Sequence, residues 1–450
     1  MNRSIYVPMF AVASLATTAT AATAATAATA AAAERPNVLL ILADDMGYEC
    51  LGVNGSTYLS PNLDRMAQEG VRFENCHAQP LSTPTRVELM TGLYNNRNYV
   101  NFGVLDPSQR TFGNMAKEQG YKTCIAGKWQ LGTDKDLPAH FGFDNYCLWQ
   151  LSSEKNAKGS RYAAPLYDVD GETITGDTNL YGPDIYSDYI CNFIDKNHKE
   201  PMFIYYPMAL IHTPVDPTPD SREWQDLATR TVTLPKDRTV DMVAYADKIV
   251  GKLLKKLEER GVLDNTVILF VGDNGTNSGV HTKMKDGRVI QGGKRRTTKN
   301  GTNVPMIVRW GDKIKSGQVN ENLVDVSDFY PTIRDIIKGN ETLDRKLDGI
   351  SLYGQLVGDK KAEVREWSLC HYPEQKTPSN YIRFVQTKDY KLYTSGRFYN
   401  TRNDFYEKKD IAKGSGTAEQ ESLRERLQAT LNTFAQGSEI IKKPCTDITK

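Results

Sequence analysis

Continuous apolar runs alternate along this chain with stretches whose apolar positions recur every three or four residues. Asn37 to Ala43 reads Asn-Val-Leu-Leu-Ile-Leu-Ala with no polar alternation, the pattern of a central strand covered on both faces. Val267 to Val271 repeats it. Ser60-Pro61 opens a helical stretch, with Ser as N-cap and Pro in the first turn, that closes at Gly70. Val71 to His77 reads as the next strand, followed by a helix around Thr111 to Gln119, a strand Tyr121 to Ala126, a helix near Ile185 to Asp195 and a strand Met202 to Pro207. The longest helix, about Val240 to Arg260, places Val243, Ile249, Val250, Leu253, Leu254 and Leu257 on one stripe and stops at Gly261. Val304 to Val308 adds a strand and Phe329 to Lys338 a short helix.

Strand, helix, strand predicts a parallel sheet with crossover helices. Past about residue 360 the pieces shorten: Tyr381 to Gln386 and Tyr390 to Tyr393 read as strands, then Ser422 to Phe434 as one helix. The expected fold class is therefore α/β, with a large mixed, mostly parallel sheet flanked by helices over 34–360. A smaller C-terminal α+β subdomain is expected over 361–450.

The first 33 of the 450 residues do not join this pattern. One early basic residue, Arg3, precedes an apolar stretch from Ile5 to Ala16 and an Ala/Thr repeat ending in Ala31-Ala32-Ala33. This resembles a secretory signal peptide and predicts export to the periplasm or beyond; an uncleaved anchor or a disordered linker are the alternatives. No later segment approaches 18 uninterrupted apolar residues, so no membrane span is expected after cleavage. Lys and Arg number 56 and Asp and Glu 55, a net charge of +1 that removes the basic footprint of a nucleic-acid binder. The seven cysteines form no C-x-x-C pair, which argues against a thioredoxin-like centre or a Cys-rich zinc site. Most read as buried small hydrophobes, with one or two bridges open after export.

Both buried runs deliver a polar pair at their carboxyl ends, Asp44-Asp45 and Asp273-Asn274. In open α/β sheets the ligand crevice lies outside those ends. Three carboxylates and one amide are hard oxygen donors, better suited to Ca²⁺ or Mg²⁺ than to zinc; the plainer alternative is two turns. In Pro80-Leu81-Ser82-Thr83-Pro84-Thr85-Arg86, Pro84 suits a first helical turn, and Gly92 suits the helix end. Ser82 then stands at a helix N-terminus, where an anion is attracted, and Arg86 lies four residues on, on the same face. A serine N-cap with a surface arginine is the bland alternative.

Ser82-x-Pro84-x-Arg86 followed by Leu89-Met90-Thr91-Gly92 resembles the signature of the sulfatase family of the alkaline-phosphatase superfamily. Further blocks occur in family order: Asn37 to Gly47, Gly127-Lys128-Trp129, His212-Thr213-Pro214, Gly272 to Gly275, Gly293-Lys294 and Val304-Pro305. The resemblance implies an alkaline-phosphatase-like fold and a metal, usually Ca²⁺, held by Asp44, Asp45, Ser82, Asp273 and Asn274. It implies that a maturation enzyme oxidises Ser82 to formylglycine, the serine variant found among bacterial members. Arg86, Lys128, His212 and Lys294 match catalytic positions, with Lys128, Gln130, His212 and Lys294 touching the substrate. The hydrated aldehyde supplies one hydroxyl to attack sulfur and a second to expel sulfate, while His212 or Lys294 protonates the leaving oxygen.

Two departures stand out. The family usually has His where this chain has Gln130, and Gln cannot take a proton. Asn303 stands where Arg often precedes Val-Pro. The implied function is hydrolysis of a sulfate ester on a carbohydrate. Two rivals stay open: a phosphate or phosphonate ester hydrolase using unmodified Ser82, and a non-catalytic sulfoglycan-binding protein. Specificity is expected in the loops Ser152 to Asp184 and Pro217 to Arg238, whose Tyr162, Tyr167, Tyr181 and Trp224 either stack on sugar or pack against the core.

Overall fold

The structure is a computed structural model, and it describes residues 35–151, 160–339, 346–373 and 381–435. The expected signal segment and Cys445 lie outside the described residues. Strands are numbered in chain order: β1 (Asn37–Ala43), β2 (Val71–His77), β3 (Lys122–Lys128), β4 (Asn145–Trp149), β5 (Leu166–Val169), β6 (Glu172–Thr175), β7 (Met202–Pro207), β8 (Thr266–Gly272), β9 (His281–Lys283), β10 (Val289–Gln291), β11 (Asn303–Arg309) and β12 (Gln318–Asp325). Ten of them form one sheet in the order β12-β2-β11-β8-β1-β7-β3-β4-β5-β6. The centre, β8-β1-β7-β3-β4, is parallel. Strand β11 runs antiparallel to both neighbours, and β5 and β6 add an antiparallel edge.

The unbroken apolar run of β1 is explained by cover on both faces. Leu39, Ile41 and Ala43 join a core built with the helices Pro61–Gln68, Gly182–Asn197 and Thr239–Glu259. Val38, Leu40 and Leu42 face the opposite core, built with the helices Ser82–Thr91, Phe112–Glu118 and Phe329–Ile336. The six stripe residues of the longest helix are all buried. Gly261, with φ +67, follows its end.

Sequence reasoning placed most central elements within a few residues and missed β4, β5, β6, β9, β10 and β12. All but β4 are short or half-exposed pieces without a continuous apolar run. Ser60 does not cap its helix: its hydroxyl accepts from Gly52 N and donates to Asp64. All six described cysteines are free and buried.

Four antiparallel strands, β13 (Ser368–Pro373), β14 (Tyr381–Gln386), β15 (Tyr390–Tyr393) and β16 (Phe398–Asn400), form a separate small sheet. Leu369, Val385, Leu392 and Phe398 pack there with Leu427 and Leu431 of the helix Ala418–Ala435. Tyr94 enters this core, flanked by Trp367 and Phe434. Among the described residues no helix is long and apolar enough to cross a membrane.

Candidate active site

The carboxyl ends of β1, β8 and β3 and the segment after β7 converge on one side of the sheet. Ala43 pairs with Gly272 in register, so Asp44-Asp45 and Asp273-Asn274 emerge side by side. Asp45 N donates to Asp273 Oδ1 at 2.8 Å, and Asn274 Nδ2 donates to Asp45 Oδ1 at 2.9 Å. Gly127, one residue before Lys128, has φ +120, and a Cβ there would lie 2.1 Å from Pro207 O. Only glycine lets β3 and β7 run this close while turning Lys128 inward.

Leu81, not Ser82, holds the N-cap position, and Ser82 is the first residue of the helix Ser82–Thr91. Its hydroxyl accepts from Arg86 Nε at 2.9 Å and from Lys128 Nζ at 3.1 Å. The four-residue spacing therefore delivers the contact it predicts. Arg86 is fully buried, not a surface arginine, and its Nη1 donates to Lys128 O at 3.0 Å. Lys128 Nζ also donates to both oxygens of Asp44, at 3.0 and 2.8 Å. On the far side Lys294 Nζ donates to Asp45 Oδ2 at 2.8 Å, and His212 Nε2 lies 3.9 Å from that oxygen. Lys294 is seated by its own N–H on Thr276 O, and the next residue by Arg295 N on Pro80 O.

These groups perturb one another. Burial pushes the Asp44 carboxyl up, but Lys128, His212, Arg86 and Lys294 outweigh it and the net shift is down. Burial and then the Asp44 charge push Asp273 up to about 7. Burial brings Lys128 down to about 8 against the pull of Asp44, and His212 down to about 4. His212 is therefore neutral at pH 7. Its Nδ1 contacts Thr213 O, which fixes Nδ1 as the protonated nitrogen and leaves the Nε2 lone pair facing the carboxylates.

Two buried oxygens, Asp273 Oδ2 and Asn274 Oδ1, have no hydrogen-bond partner among the described residues. Leaving such atoms without a partner is costly, and a divalent cation placed between them would relieve both. Asp44, Asp45 and His212 offer ligand atoms within 4.8 Å of one another. The oxygens of Asp44, Asp45, Ser82, Asp273 and Asn274 fit a hard cation such as Ca²⁺, with His212 at the edge.

Gln130 follows the lysine strand by two residues in a left-handed conformation, φ +52, and is half-buried. Asn303 is buried in the sheet and donates to Glu74 O. The four loop aromatics resolve as core: Tyr162, Tyr167, Tyr181 and Trp224 all belong to one hydrophobic cluster. Sequence reasoning missed Arg161, whose Nη1 lies 3.9 Å from Asp44 Oδ2 and whose guanidinium stacks 4.2 Å over the Trp149 ring. No motif or periodicity in the sequence marks it.

A family profile described as Sulfatase matches residues 36–339, and one described as N-sulphoglucosamine sulphohydrolase, C-terminal, matches 292–435. The chain is 30% identical over 366 residues to human (Homo sapiens) N-acetylgalactosamine-6-sulfatase, covering 72% of this chain and 66% of that protein. It is 27% identical over 337 residues to arylsulfatase J of Mus musculus, covering 71% and 55%. The chain thus spans between about half and two thirds of the length of these curated relatives. A solved structure in complex with its substrate D-glucosamine-2-N,6-O-disulfate matches the fold with a TM-score of 0.71 and 22% identity, covering 91% of this chain and 99% of that one.

Proposed function

This chain belongs to the sulfatase family, and from that premise we propose that it hydrolyses a sulfate ester on a glycosaminoglycan-type sugar. One observation carries the reading: Ser82 Oγ is held by Arg86 and Lys128 at a helix start, beside a carboxylate cluster with unpartnered oxygens. The human relative supports the substrate class, since its name specifies a sulfated hexosamine. We read residues 34–360 as the catalytic domain, 361–450 as its C-terminal subdomain and 1–33 as an export signal leading to the periplasm or beyond.

Asp44, Asp45, Asp273, Asn274 and residue 82 would hold Ca²⁺. Formylglycine, installed at position 82 by a maturation enzyme, would supply the nucleophilic hydroxyl, and Ca²⁺ held by these residues would supply charge that lowers that hydroxyl's pKa and offsets the negative charge of the sulfate. The chain's own residues do the rest. Arg86 Nε and Lys128 Nζ, already on the side-chain oxygen of residue 82, hold it and the charge that develops beside it. Each such cation, about 4 Å from the charge, supplies up to ~4 kcal/mol at an effective dielectric near 20. Lys294, an ammonium on the opposite wall, gives its proton to the leaving sugar oxygen. His212, neutral with Nε2 open, takes the proton that Gln130 cannot.

Paired assays on sulfate and phosphate esters test this, together with mass spectrometry of the tryptic peptide Phe73 to Arg86. Protein from a host with a serine-type maturation enzyme should cleave the sulfate ester and show loss of two hydrogens at residue 82. An active enzyme that cleaves only the phosphate ester, with Ser82 wholly unmodified, would establish the phosphate-hydrolase alternative. Tight binding of a sulfated glycan without product would establish the non-catalytic one.

A further inference from the structure

We propose that Arg161 and Asp216 form the subsite that grips the sugar bearing the sulfate and so select which sulfate esters are turned over; this rests on the sulfatase reading. A cavity of about 280 Å³ is lined by Ser160, Arg161, Tyr162, Asp216, Thr231 and Thr233. It adjoins the reaction cluster on two sides. Arg161 Nη1 is 3.9 Å from Asp44 Oδ2, and Tyr162 donates its hydroxyl to His212 O.

Two of these lining residues each carry a buried polar atom, Arg161 Nη1 and Asp216 Oδ1, with no hydrogen-bond partner among the described residues. A buried donor or acceptor left unmade costs about 1 to 3 kcal/mol, a cost that a bound ligand removes. One atom is a cationic donor and the other an anionic acceptor. Neighbouring hydroxyls of a pyranose match that pair, one oxygen accepting from the guanidinium and the next hydroxyl donating to the carboxylate. The Trp149 ring beneath the guanidinium fixes its plane. Asp216 disfavours a uronate in the same place through like-charge repulsion. The volume falls just under the ~300 to 1,000 Å³ of drug-sized sites, room for one ring. The subsite therefore takes a neutral, hydroxyl-bearing sugar ring.

The test compares KM for the best-cleaved member of a panel of sulfated hexoses and hexosamines with KM for 4-nitrophenyl sulfate, which carries no ring hydroxyls. Asp216→Ala should raise the ratio of the two at least about tenfold, about 1.4 kcal/mol, with kcat on the sugar ester nearly unchanged. Arg161→Lys keeps the charge beside Asp44 but loses the planar fork, and should raise the ratio in the same direction. Asp216→Asn carries the test if the alanine variant does not fold. An unchanged ratio overturns the subsite, as does a wild type that cleaves the aryl ester but no sugar sulfate. A wild type that cleaves neither overturns the sulfatase reading itself.

Discussion

Around Arg365, in the approach to the small sheet, buried charge is matched atom for atom; around Ser82 it is not. Arg365 Nε donates to Asp328 Oδ2 at 3.0 Å, its Nη1 donates to the Tyr94 hydroxyl at 2.6 Å and its Nη2 pairs with Asp328 Oδ1. Asp328 also accepts from Asp325 N and Ile350 N. No polar atom of Arg365 or Asp328 is left over. The Ser82 cluster is equally buried, yet Arg86 Nη2, Asp273 Oδ2, Asn274 Oδ1 and Arg161 Nη1 have no hydrogen-bond partner among the described residues, the nearest opposite charges of Asp273 Oδ2 and Arg161 Nη1 lying 3.9 Å away. Both clusters cost desolvation, but the first returns it in contacts that hold the chain together. The second keeps unused bonding capacity, and that capacity is what a cation and a sulfate ester would fill.

The contrast is sharpest in what a single deletion does. Asp273→Ala should lower turnover at least about a thousandfold, about 4 kcal/mol of transition-state stabilisation. Its melting temperature without calcium should change little, because the change also removes a carboxylate that burial and Asp44 disfavour. Arg365→Ala should do the reverse, costing about 3 to 5 kcal/mol of stability by stranding Asp328 while the folded fraction keeps its turnover number. Steady-state kinetics and denaturant melts on both variants check this. A large stability loss for Asp273→Ala with full activity would erase the distinction.

A smaller effect lies between the two regions. Glu49 is buried behind the cluster, accepts from Thr276 Oγ1 at 2.7 Å and is pushed up to about 7, chiefly by burial. A carboxyl whose folded pKa is raised holds its proton more tightly when folded, so the stability it adds is present below about 4.5 and lost as pH rises through 7. Glu49→Gln should therefore melt increasingly higher relative to wild type as pH goes from 4.5 to about 7, the difference levelling off above that. A melting difference that stays flat across that range would contradict the assignment.

The sequence carried the parts of this picture that depend on periodicity or on close spacing. Unbroken runs revealed β1 and β8, and a two-face sheet makes their ends a crevice, so Asp44, Asp45, Asp273 and Asn274 were legible together. Ser82 and Arg86 were legible because one helical turn joins them. Which cation pairs with which carboxylate was not: Lys128 with Asp44 and Lys294 with Asp45 depend on how β3, one strand removed across β7, and the 293–296 loop are placed relative to β1, and no local pattern encodes that. Arg161 and the Arg365–Asp328 pair were invisible for the same reason, being contacts between segments far apart in sequence. Tyr162, Tyr167, Tyr181 and Trp224 were ambiguous because an aromatic ring suits a sugar face and a core equally well.

Calcium titration calorimetry on chelator-treated protein addresses the unfilled bonding capacity directly. Wild type should bind one Ca²⁺ per chain and melt at a higher temperature when loaded, since a ligand of the folded state alone stabilises it; Asp273→Ala should lose both responses, and Arg365→Ala at a temperature where it is folded should keep them. Binding by Asp273→Ala indistinguishable from wild type, or no binding by wild type at all, would contradict the account.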